Sequence, residues 1–354
     1  MSAPPILARR ALRVGPASAV WRPRAVLVPV ALVAVVLLLV ALDVGRGDFP
    51  ISVPDVVGTL LGGGTQVDRY IVLQVRLPRS LTGALVGVAF GMAGALTQSV
   101  ARNPLASPDL LGISYGAAAA AVATLVLGGG AVGGLFTALG VPLAALLGGL
   151  VSAAAIYALA WRQGISGFRL VLVGVAVAAV LSSVTSYLLI VGDLNRAAQA
   201  QIWLVGSLNG RDWAQVLPVG LVVGAAALLF PVTSASLRAL RLGEDTARSL
   251  GVRLQRAQAG HLAAAVALAS VAVAAAGPVP FVALIAPQIA LRLLRSAGPP
   301  LLAGGLVGAV LVVGADVVSR SVLPSTLPVG VVTAAVGAPY LMFLLARGPR
   351  ASDA

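Results

Sequence analysis

Few residues in this 354-residue chain could perform chemistry, and their types exclude most reactions. The chain has one His (His261), one Glu (Glu244), ten Asp and 24 basic residues that are all Arg, with no Lys and no Cys. Without Lys there is no phosphate-binding loop of the G-x-x-x-x-G-K-[ST] type and no Schiff base. Without Cys, thiolate zinc sites, iron–sulfur clusters and disulfides are excluded. Any ATP hydrolysis therefore belongs to another chain, and we predict no metal site and no cofactor bound by this one.

One pair of residues could form a nucleophilic site. The GISG run at 164–167 fits the rhomboid-like G-x-S-G pattern, and His261 could serve Ser166 as a base in an intramembrane serine protease. Ser166 lies in an Arg-flanked turn, however, and the chain has too many apolar segments for such an enzyme. We therefore expect His261 to be a hydrogen-bonding residue at the inner membrane boundary.

The elements that position these residues are apolar. The chain is 59% hydrophobic and only 10% charged, with a mean hydropathy of +1.02, whereas a water-soluble domain carries about a quarter charged residues. The net charge of +13 could indicate a nucleic-acid partner, but the Arg residues fall in short loops between long apolar runs. The composition therefore predicts a membrane protein with no nucleic-acid partner.

Ten apolar stretches are long enough, or nearly so, to cross a hydrocarbon core of about 30 Å. They run over 25–42, 80–100, 110–127, 136–160, 169–191, 214–236, 258–276, 281–295, 300–319 and 328–346. The fold class that we predict is an all-α polytopic membrane protein, with about ten transmembrane helices in one bundle. The Arg-rich residues 1–24 form a tail, residues 25–346 form the transmembrane domain, and residues 347–354 form a second tail.

The distribution of Arg orients this bundle. With both termini in the cytoplasm, cytoplasmic segments hold 17 Arg and outer segments hold seven, which add up to all 24. The excess favours this orientation because Lys and Arg accumulate on the cytoplasmic side. The seven outer Arg are Arg46, Arg69, Arg76, Arg79, Arg196, Arg211 and Arg320.

Small residues within the spans indicate close helix packing. Gly83, Gly87 and Gly91 repeat every four residues in the second span, and Gly304 and Gly308 do so in the ninth. Such spacing lets helix backbones approach each other in lipid, which provides no hydrophobic drive for association. We expect this packing to lie within one subunit, with a subunit interface as the alternative.

Three polar segments are too specific for generic loops. Pro104 and Pro108 predict a rigid turn in RNPLASPDLLGIS (102–114), and Asp109 is expected to cap the third span. The segment 237–254 predicts a short cytoplasmic helix, whose apolar stripe of Ala247, Leu250 and Leu254 suits a groove in a partner; the alternative is a solvated connector. The Pro-rich segment GPVPFVALIAPQIALRL (277–293) predicts broken or kinked backbone at the edge of a pathway, because lipid does not tolerate exposed irregular backbone.

These segments resemble the FecCD family, the permease subunits of bacterial ABC importers for iron–siderophore, haem and cobalamin-type substrates. The similarity covers about residues 50–346, and the SPDLLGIS wording is nearest to permeases of the ferric-enterobactin kind. The matching runs are RLPRSLTGALVG (76–87), GALTQSVARNPLASPDLLGIS (94–114), LVGSLNGRDW (204–213), LGEDTARSLGV (242–252), AGPVPFVALIAPQIALRL (276–293), GADVVSR (314–320) and LPVGVVTAAVGAPYLMFLL (327–345).

The resemblance implies a subunit of the bacterial inner membrane that functions within a larger assembly. Its partners in the lipid bilayer would be a second permease subunit, identical or different, two ATPase subunits that bind ATP and Mg²⁺, and an external substrate-binding protein. The expected cargo is an iron–siderophore complex, with haem or cobalamin as alternatives. This chain would be a transport subunit and not an enzyme.

The resemblance also implies three groups of functional residues. Arg76, Arg79 and Arg320 would contact acidic residues of the binding protein; the alternative is that they anchor helix ends, or that Arg320 pairs with Asp316. The residues implied for ATPase coupling, within 238–256, are Gly243, Glu244, Ala247, Arg248, Leu250 and Gly251. The residues implied for a cytoplasmic gate are Asn103, Pro104, Leu105, Gly167 and Phe168, although Phe168 replaces a small polar residue of the family and packing alone is the alternative.

A proton-coupled secondary transporter is a further alternative. Such proteins need ionisable groups near the middle of the membrane. The best candidate is Asp316, which lies near an outer helix end, and the interior has few other titratable residues. This scarcity favours a protein whose free energy enters from outside the bilayer.

Overall fold

The computed structural model describes residues 11–14, 17–20, 23–47, 49–128, 133–161, 167–296, 298, 300–321 and 327–346. These residues form fourteen α-helices and two short strands. The helices are α1 Pro23–Gly45, α2 Val53–Leu60, α3 Gln66–Arg69, α4 Leu77–Ala101, α5 Ile113–Leu127, α6 Gly133–Ala160, α7 Gly167–Val191, α8 Leu194–Leu204, α9 Trp213–Arg241, α10 Glu244–Ser249, α11 Leu254–Ala276, α12 Val282–Leu294, α13 Leu301–Ser321 and α14 Val329–Ala346. Strands β1 (Ala11–Val14) and β2 (Ala17–Val20) pair antiparallel within the predicted tail, where an all-α fold has none.

Each of the ten predicted spans coincides with a helix, namely α1, α4–α7, α9 and α11–α14. Seven of these helices are long and apolar enough to cross a membrane, and the helices Ile113–Leu127, Val282–Leu294 and Val329–Phe343 are apolar but shorter. The chain is therefore a multi-pass, essentially helical membrane protein. Ten complete crossings remain a prediction.

The structure departs from the sequence prediction mainly between the spans. Helices α2, α3 and α8 lie in segments predicted as outer loops, and Ser52, Thr65 and Asp193 cap them by accepting backbone N–H bonds. A π-helical segment, Tyr70–Arg76, joins α3 to α4. Helix α9 continues to Arg241 and so includes the first residues of the segment predicted as 238–256.

Helix α4 forms the centre of the bundle, where most of its residues are buried against α9, α11, α12 and α13. A Cβ atom on Gly87 would lie 2.4 Å from Gly308 O, and one on Gly91 would lie 2.1 Å from Gly304 O. These contacts confirm that the two glycine rows pack against each other within one subunit. The spacing allows the backbones of α4 and α13 to touch, as close packing in lipid requires.

Helix α12 begins after an irregular segment, as predicted for the eighth span. Phe281 adopts a left-handed conformation (φ 66°) directly before the helix starts at Val282. Pro287 lies inside α12, which continues through it to Leu294. Within the segment 277–293 the irregular backbone is therefore confined to residues 277–281; of the predicted break or kink at Pro287, the structure excludes the break.

Candidate functional site

A cavity of about 850 Å³ lies between α5, α7, α14 and the irregular segment before α12. We call it the α5–α7–α14 cavity. It brings together two of the three polar segments noted in the sequence, since Asp109 and Ser114 line it from one segment and Pro278, Val279 and Pro280 from another. The third segment, which contains α10, does not reach it.

Hydroxyl groups of α7 form the polar part of the cavity wall. Ser182, Thr185 and Ser186 line it at positions i, i+3 and i+4, so they share one face of the helix. The sequence prediction missed these residues, although the SSVTS run at 182–186 interrupts an otherwise apolar span. The opposite walls are mostly apolar and include Leu189, Val331 and Ala334. The cavity is thus amphipathic, with the polar groups concentrated on two elements.

The irregular segment at the cavity is packed against protein, with Gly277 and Val279 buried and Pro278, Pro280 and Phe281 half-buried. Ser207 N donates to Ala276 O at 2.8 Å, and Gly330 N donates to Gly206 O at 3.2 Å. Gly206 (φ 76°) lies so close to Pro278 that a Cβ atom there would be 2.1 Å from the Pro278 carbonyl oxygen. The backbone around Pro278 is therefore held against α14 and the segment that follows α8.

Asp109 lies in a 3₁₀ turn, Pro108–Leu111, and was expected to cap α5. That expectation is wrong, because its carboxylate accepts a hydrogen bond from Ser114 Oγ and the cap residue is Gly112, with a left-handed φ of 63°. Ser152 Oγ of α6 donates to Gly112 O at 3.0 Å and holds the turn in place.

Arg79 is the first of three arginines at the predicted outer end of the bundle. Its Nε and Nη2 atoms donate to the two carboxylate oxygens of Asp316 at 2.9 and 2.7 Å, which joins α4 to α13. Its Nη1 atom also donates to Asn209 Oδ1, in the segment before α9. The Asp316 side chain is 1% exposed and that of Arg79 18% exposed. Bidentate pairs of this kind are the strongest that Arg forms with a carboxylate.

Arg320 pairs with Asp43 at the end of α1, and so the predicted alternative pair of Arg320 with Asp316 is wrong. Arg320 Nη1 lies 3.3 Å from Asp43 Oδ1, and Arg320 Nη2 donates to Arg46 O at 2.6 Å. Ser80 Oγ of α4 also donates to the Asp43 carboxylate. The Asp43 side chain is fully buried, so Arg320 and Ser80 together compensate its charge.

Arg76 is buried, and carbonyl groups bind its guanidinium. It donates to Val44 O at 3.0 Å and to Phe49 O at 2.7 Å, so it fixes the chain that leaves α1. Gly47 (φ 137°) packs between this guanidinium and that of Arg320, and a Cβ atom there would lie within 2.9 Å of both. The structure therefore brings all three predicted docking arginines to one end of the bundle, but binds each to its own chain.

The predicted coupling segment contains α10, a helix of six residues. Gly243 (φ 105°) directly precedes α10. Leu250 follows the last residue of the helix, and Gly251 (φ 78°) comes next. Glu244 Oε1 accepts a hydrogen bond from Arg102 Nη2 at 3.0 Å, and Glu244 Oε2 lies 3.7 Å from Arg248 Nη2. The only Glu of the chain thus connects the coupling segment to the turn after α4.

The apolar stripe predicted on the coupling segment is divided between two environments. Ala247 is fully buried and Leu254 is 8% exposed, so both pack against their own bundle. Leu250 is 61% exposed and Leu242 is 63% exposed. The prediction that Ala247 and Leu254 face a partner groove is therefore wrong, because Ala247 of α10 and Leu254, the first residue of α11, are both buried in the core of the bundle. The apolar side chains on the outside are Leu242 and Leu250.

The predicted gate residues lie in two places. Asn103 forms a turn in which its Oδ1 accepts the Leu105 N–H at 2.9 Å, and Asn103, Pro104 and Leu105 are all exposed. Gly167 is the first residue of α7, and the adjacent Phe168 is 82% exposed. Phe168 thus closes no opening among the residues that the structure describes, and its role as a gate residue stays a prediction.

His261 of α11 is buried and faces α9, where its hydrogen-bond partner Ser236 lies. One of its ring nitrogens, Nε2, is 3.1 Å from Ser236 Oγ. This is the hydrogen-bonding role expected for it, and the proposed nucleophile Ser166 lies outside the described residues. In the part of the chain that the structure describes, no three His, Asp or Glu residues are grouped closely enough to hold a metal ion.

The sequence of this chain is similar to those of known transport proteins. Residues 33–347 match the FecCD transport family. The ferric enterobactin transport system permease protein FepG of Escherichia coli (strain K12) is 38% identical over 309 residues, which are 86% of this chain and 91% of that protein. The achromobactin transport system permease protein CbrC of Dickeya dadantii (strain 3937) is 39% identical over 90% of this chain and 91% of that protein.

Two further similarities bear on the substrate and the fold. The cobalamin import system permease protein BtuC of Halobacterium salinarum is 38% identical over 80% of this chain and 75% of that protein. A solved structure, described as an inward-facing conformation of a metal-chelate type ABC transporter, superposes with a TM-score of 0.79. It is 24% identical and covers 92% of this chain and 100% of the other, so it supports the fold alone.

Proposed function

The chain belongs to the FecCD transport family, and from this membership we propose that it is the permease subunit of an ABC importer for iron–siderophore complexes. The observation that carries the proposal is the similarity, along almost the whole chain, to the ferric enterobactin and achromobactin permeases. The alternatives are a haem importer and a cobalamin importer. The likeness to a cobalamin permease supports the second of these.

The α5–α7–α14 cavity is the proposed pathway for the substrate. Its size suits a chelate, and its mixture of hydroxyl groups and aliphatic walls offers contacts without a tight site. Many side chains of α7 are exposed on the surface of this chain, among them Val180, Val184 and Tyr187. We propose that a second permease subunit, identical or different, covers this side and completes the pathway.

Energy is proposed to come from two ATPase subunits that bind ATP and Mg²⁺. This chain has no Lys for a phosphate-binding loop, and the coupling segment presents Leu242 and Leu250, on either side of α10, and a charged face at the predicted cytoplasmic side. Gly243, Gly251 and the buried Ala247 position that surface, whereas Glu244 and Arg248 form its charged part. Asn103, Pro104, Leu105, Gly167 and Phe168 are proposed to close the inner mouth in the assembled transporter.

Docking of an external substrate-binding protein is proposed at the outer arginines. Arg79 and Arg320 keep 18% and 12% of their side-chain surface exposed, so an acidic lobe could reach both. Arg76 is 6% exposed, and we propose that it acts indirectly, by holding the residues after α1. The bacterial inner membrane is the proposed location, and this chain itself is proposed to bind no cofactor.

Reconstitution with the partner subunits tests this function. The chain is incorporated into proteoliposomes with its ATPase and a binding protein, and uptake of ferric enterobactin, ferric achromobactin, haem and cyanocobalamin is measured. We expect uptake of an iron–siderophore complex that requires ATP and proceeds without a proton gradient. Uptake driven by a proton gradient without ATP would instead identify a secondary transporter, and uptake of haem or cobalamin alone would favour the alternative substrates.

A further inference from the structure

An apolar groove of about 440 Å³ lies between α6, α7 and α11, and it shares no residue with the α5–α7–α14 cavity. We call it the α6–α7–α11 groove. Small side chains leave its floor open, and Ala154 and Ala263 are exposed in it. Its lining includes Ala153, Ala154, Tyr157, Leu170, Ala259 and Ala263.

The groove runs from one end of its helices to about their middle, where Leu150 and Val266 also line it. At a rise of about 1.5 Å per residue, Ala259 and Ala263 lie about 8 to 14 Å from the start of α11, and Tyr157 lies about 5 Å from the end of α6. Leu170 is in the first turn of α7. These depths fall within one half of a hydrocarbon core of about 30 Å, on the predicted cytoplasmic side. The groove is thus at the depth of the acyl chains in the inner leaflet.

Two arginines stand at the end of the groove nearest the cytoplasm. Arg169 precedes Leu170, and its Nη1 donates to Ala160 O at 3.3 Å, at the end of α6. Arg256 is exposed and precedes Ala259 by three residues and Ala263 by seven, so it lies on the same face of α11. Among the residues that the structure describes, neither arginine is within ion-pair distance of a carboxylate.

An aromatic pair lies at the same end. The rings of Tyr157 and Trp161 are 5.4 Å apart between centroids, with an interplanar angle of 39°. Trp161 is 40% exposed, directly after α6 ends. Tyr and Trp are enriched at the level of lipid headgroups, so their position marks the membrane boundary next to the two arginines.

We propose that the α6–α7–α11 groove binds an anionic phospholipid of the inner leaflet. One acyl chain occupies the groove, and the phosphate contacts Arg169 and Arg256. A zwitterionic lipid could fill the same groove, but its headgroup has no net charge for the two arginines to attract. An uncharged helix of a partner subunit would leave both cations without an anion, so charge complementarity favours the lipid.

Lipid binding by the purified full chain tests the proposal without any transport measurement. Delipidated protein is titrated with phosphatidylglycerol or phosphatidylcholine of identical acyl chains, and bound lipid is counted by native mass spectrometry. We expect a preference for phosphatidylglycerol that falls about fivefold in Arg256→Gln and about 30-fold in Arg169→Gln/Arg256→Gln. Ala263→Phe should reduce the binding of both lipids, because it fills the groove.

Arg295→Gln is the matched control, because this exposed arginine ends α12, which packs on α1, α4, α13 and α14 instead of the groove helices. Its preference for phosphatidylglycerol should equal that of the wild type. Equal binding of the two lipids by the wild type, or an equal loss in the control, would overturn the proposal. If the double variant fails to elute as folded protein, an unchanged preference in Arg256→Gln alone would overturn it.

Discussion

Arg79 and Asp316 join α4 to α13 at the residue scale, and their separation should destabilise the bundle. Arg79→Gln leaves the Asp316 carboxylate, which is 1% exposed, without its cation, and breaking a buried pair in this way costs about 3 kcal/mol. Asp316→Asn should cost less, because the 18% exposed Arg79 can still reach water. Unfolding in mixed detergent micelles measures both free energies.

The double variant Arg79→Gln/Asp316→Asn serves as the control for this pair. Because the two residues share one interaction, the double change should destabilise the protein by clearly less than the sum of the single changes. Strict additivity would show that Asp316 is compensated by other groups. This cycle must precede any docking experiment on Arg79, since a loss of docking in Arg79→Glu could otherwise reflect a loosened bundle.

The sequence located these arginines but could not assign their partners. The Arg asymmetry between loops placed Arg76, Arg79 and Arg320 at one end, because it depends only on topology. Asp316 is four residues before Arg320 and looked like its partner, yet Asp316 faces Arg79 of α4 and Arg320 faces Asp43 of α1. Pairing across helices depends on which helices are neighbours, and no local spacing contains that information.

At the scale of the elements, the contact of α4 with α13 should be the most sensitive to added volume. Gly91→Ala would place its Cβ 2.1 Å from Gly304 O, which is backbone that cannot move away locally. We expect a loss of stability of about 1–3 kcal/mol or more, as is usual when a packed interior is overfilled. Unfolding in mixed micelles and the yield of folded protein both report this loss.

Gly224→Ala in α9 is the matched control for Gly91→Ala. Nothing lies within 4 Å of the position of its Cβ, so the same chemical change meets open space. Because Ala favours a helix over Gly, Gly224→Ala should raise stability by about 0.5–1 kcal/mol. A similar loss in both variants would show that helix propensity, and not the close approach of α4 to α13, governs the result.

The elements themselves followed from the sequence more fully than their junctions did. Apolar runs located every long helix, since burial in lipid and length fix them. Helices α2, α3 and α8 were missed because each depends on a short polar cap instead of a long apolar run. The stripe on α10 was misread because Ala247 and Leu250 have the same helical spacing whether they face a partner or their own bundle.

The displacement of the ATPase subunit should be transmitted to α10 through Leu250, the residue that follows this helix. Leu250→Asp changes a side chain that is 61% exposed, so the bundle should remain folded. Loss of a buried leucine contact with the ATPase, about 1.5–3 kcal/mol, should weaken subunit coupling by about tenfold or more. Ser249→Asp adds the same charge to the same segment and should preserve coupling. ATPase stimulation by the loaded binding protein measures the effect, and full stimulation in Leu250→Asp would contradict it.

At the scale of the whole molecule, the proposed contact surfaces lie at the two ends of the bundle and the cavity lies between them. The polar groups proposed to contact partners lie at these two ends, in the predicted outer arginines and around α10. Between them, the α5–α7–α14 cavity contains hydroxyl groups and no cationic side chain among its lining residues. Such a wall suits passage better than retention, because binding strong enough to hold a substrate would also slow its release.

Filling this cavity should therefore block transport while leaving both ends intact. Ser182→Trp places a large ring on the face of α7 that lines the cavity, and narrowing a pathway of this size should reduce uptake to under about a tenth of the wild-type rate. Val232→Trp is the control, because Val232 is 81% exposed on α9 and does not line the cavity. Uptake and binding-protein docking are measured in the same proteoliposomes. Docking should be retained in both variants, since α7 packs mainly on α5 and α6 whereas Arg79 and Arg320 lie on α4 and α13, and Val232 is exposed. Normal uptake in Ser182→Trp would show that the substrate crosses elsewhere.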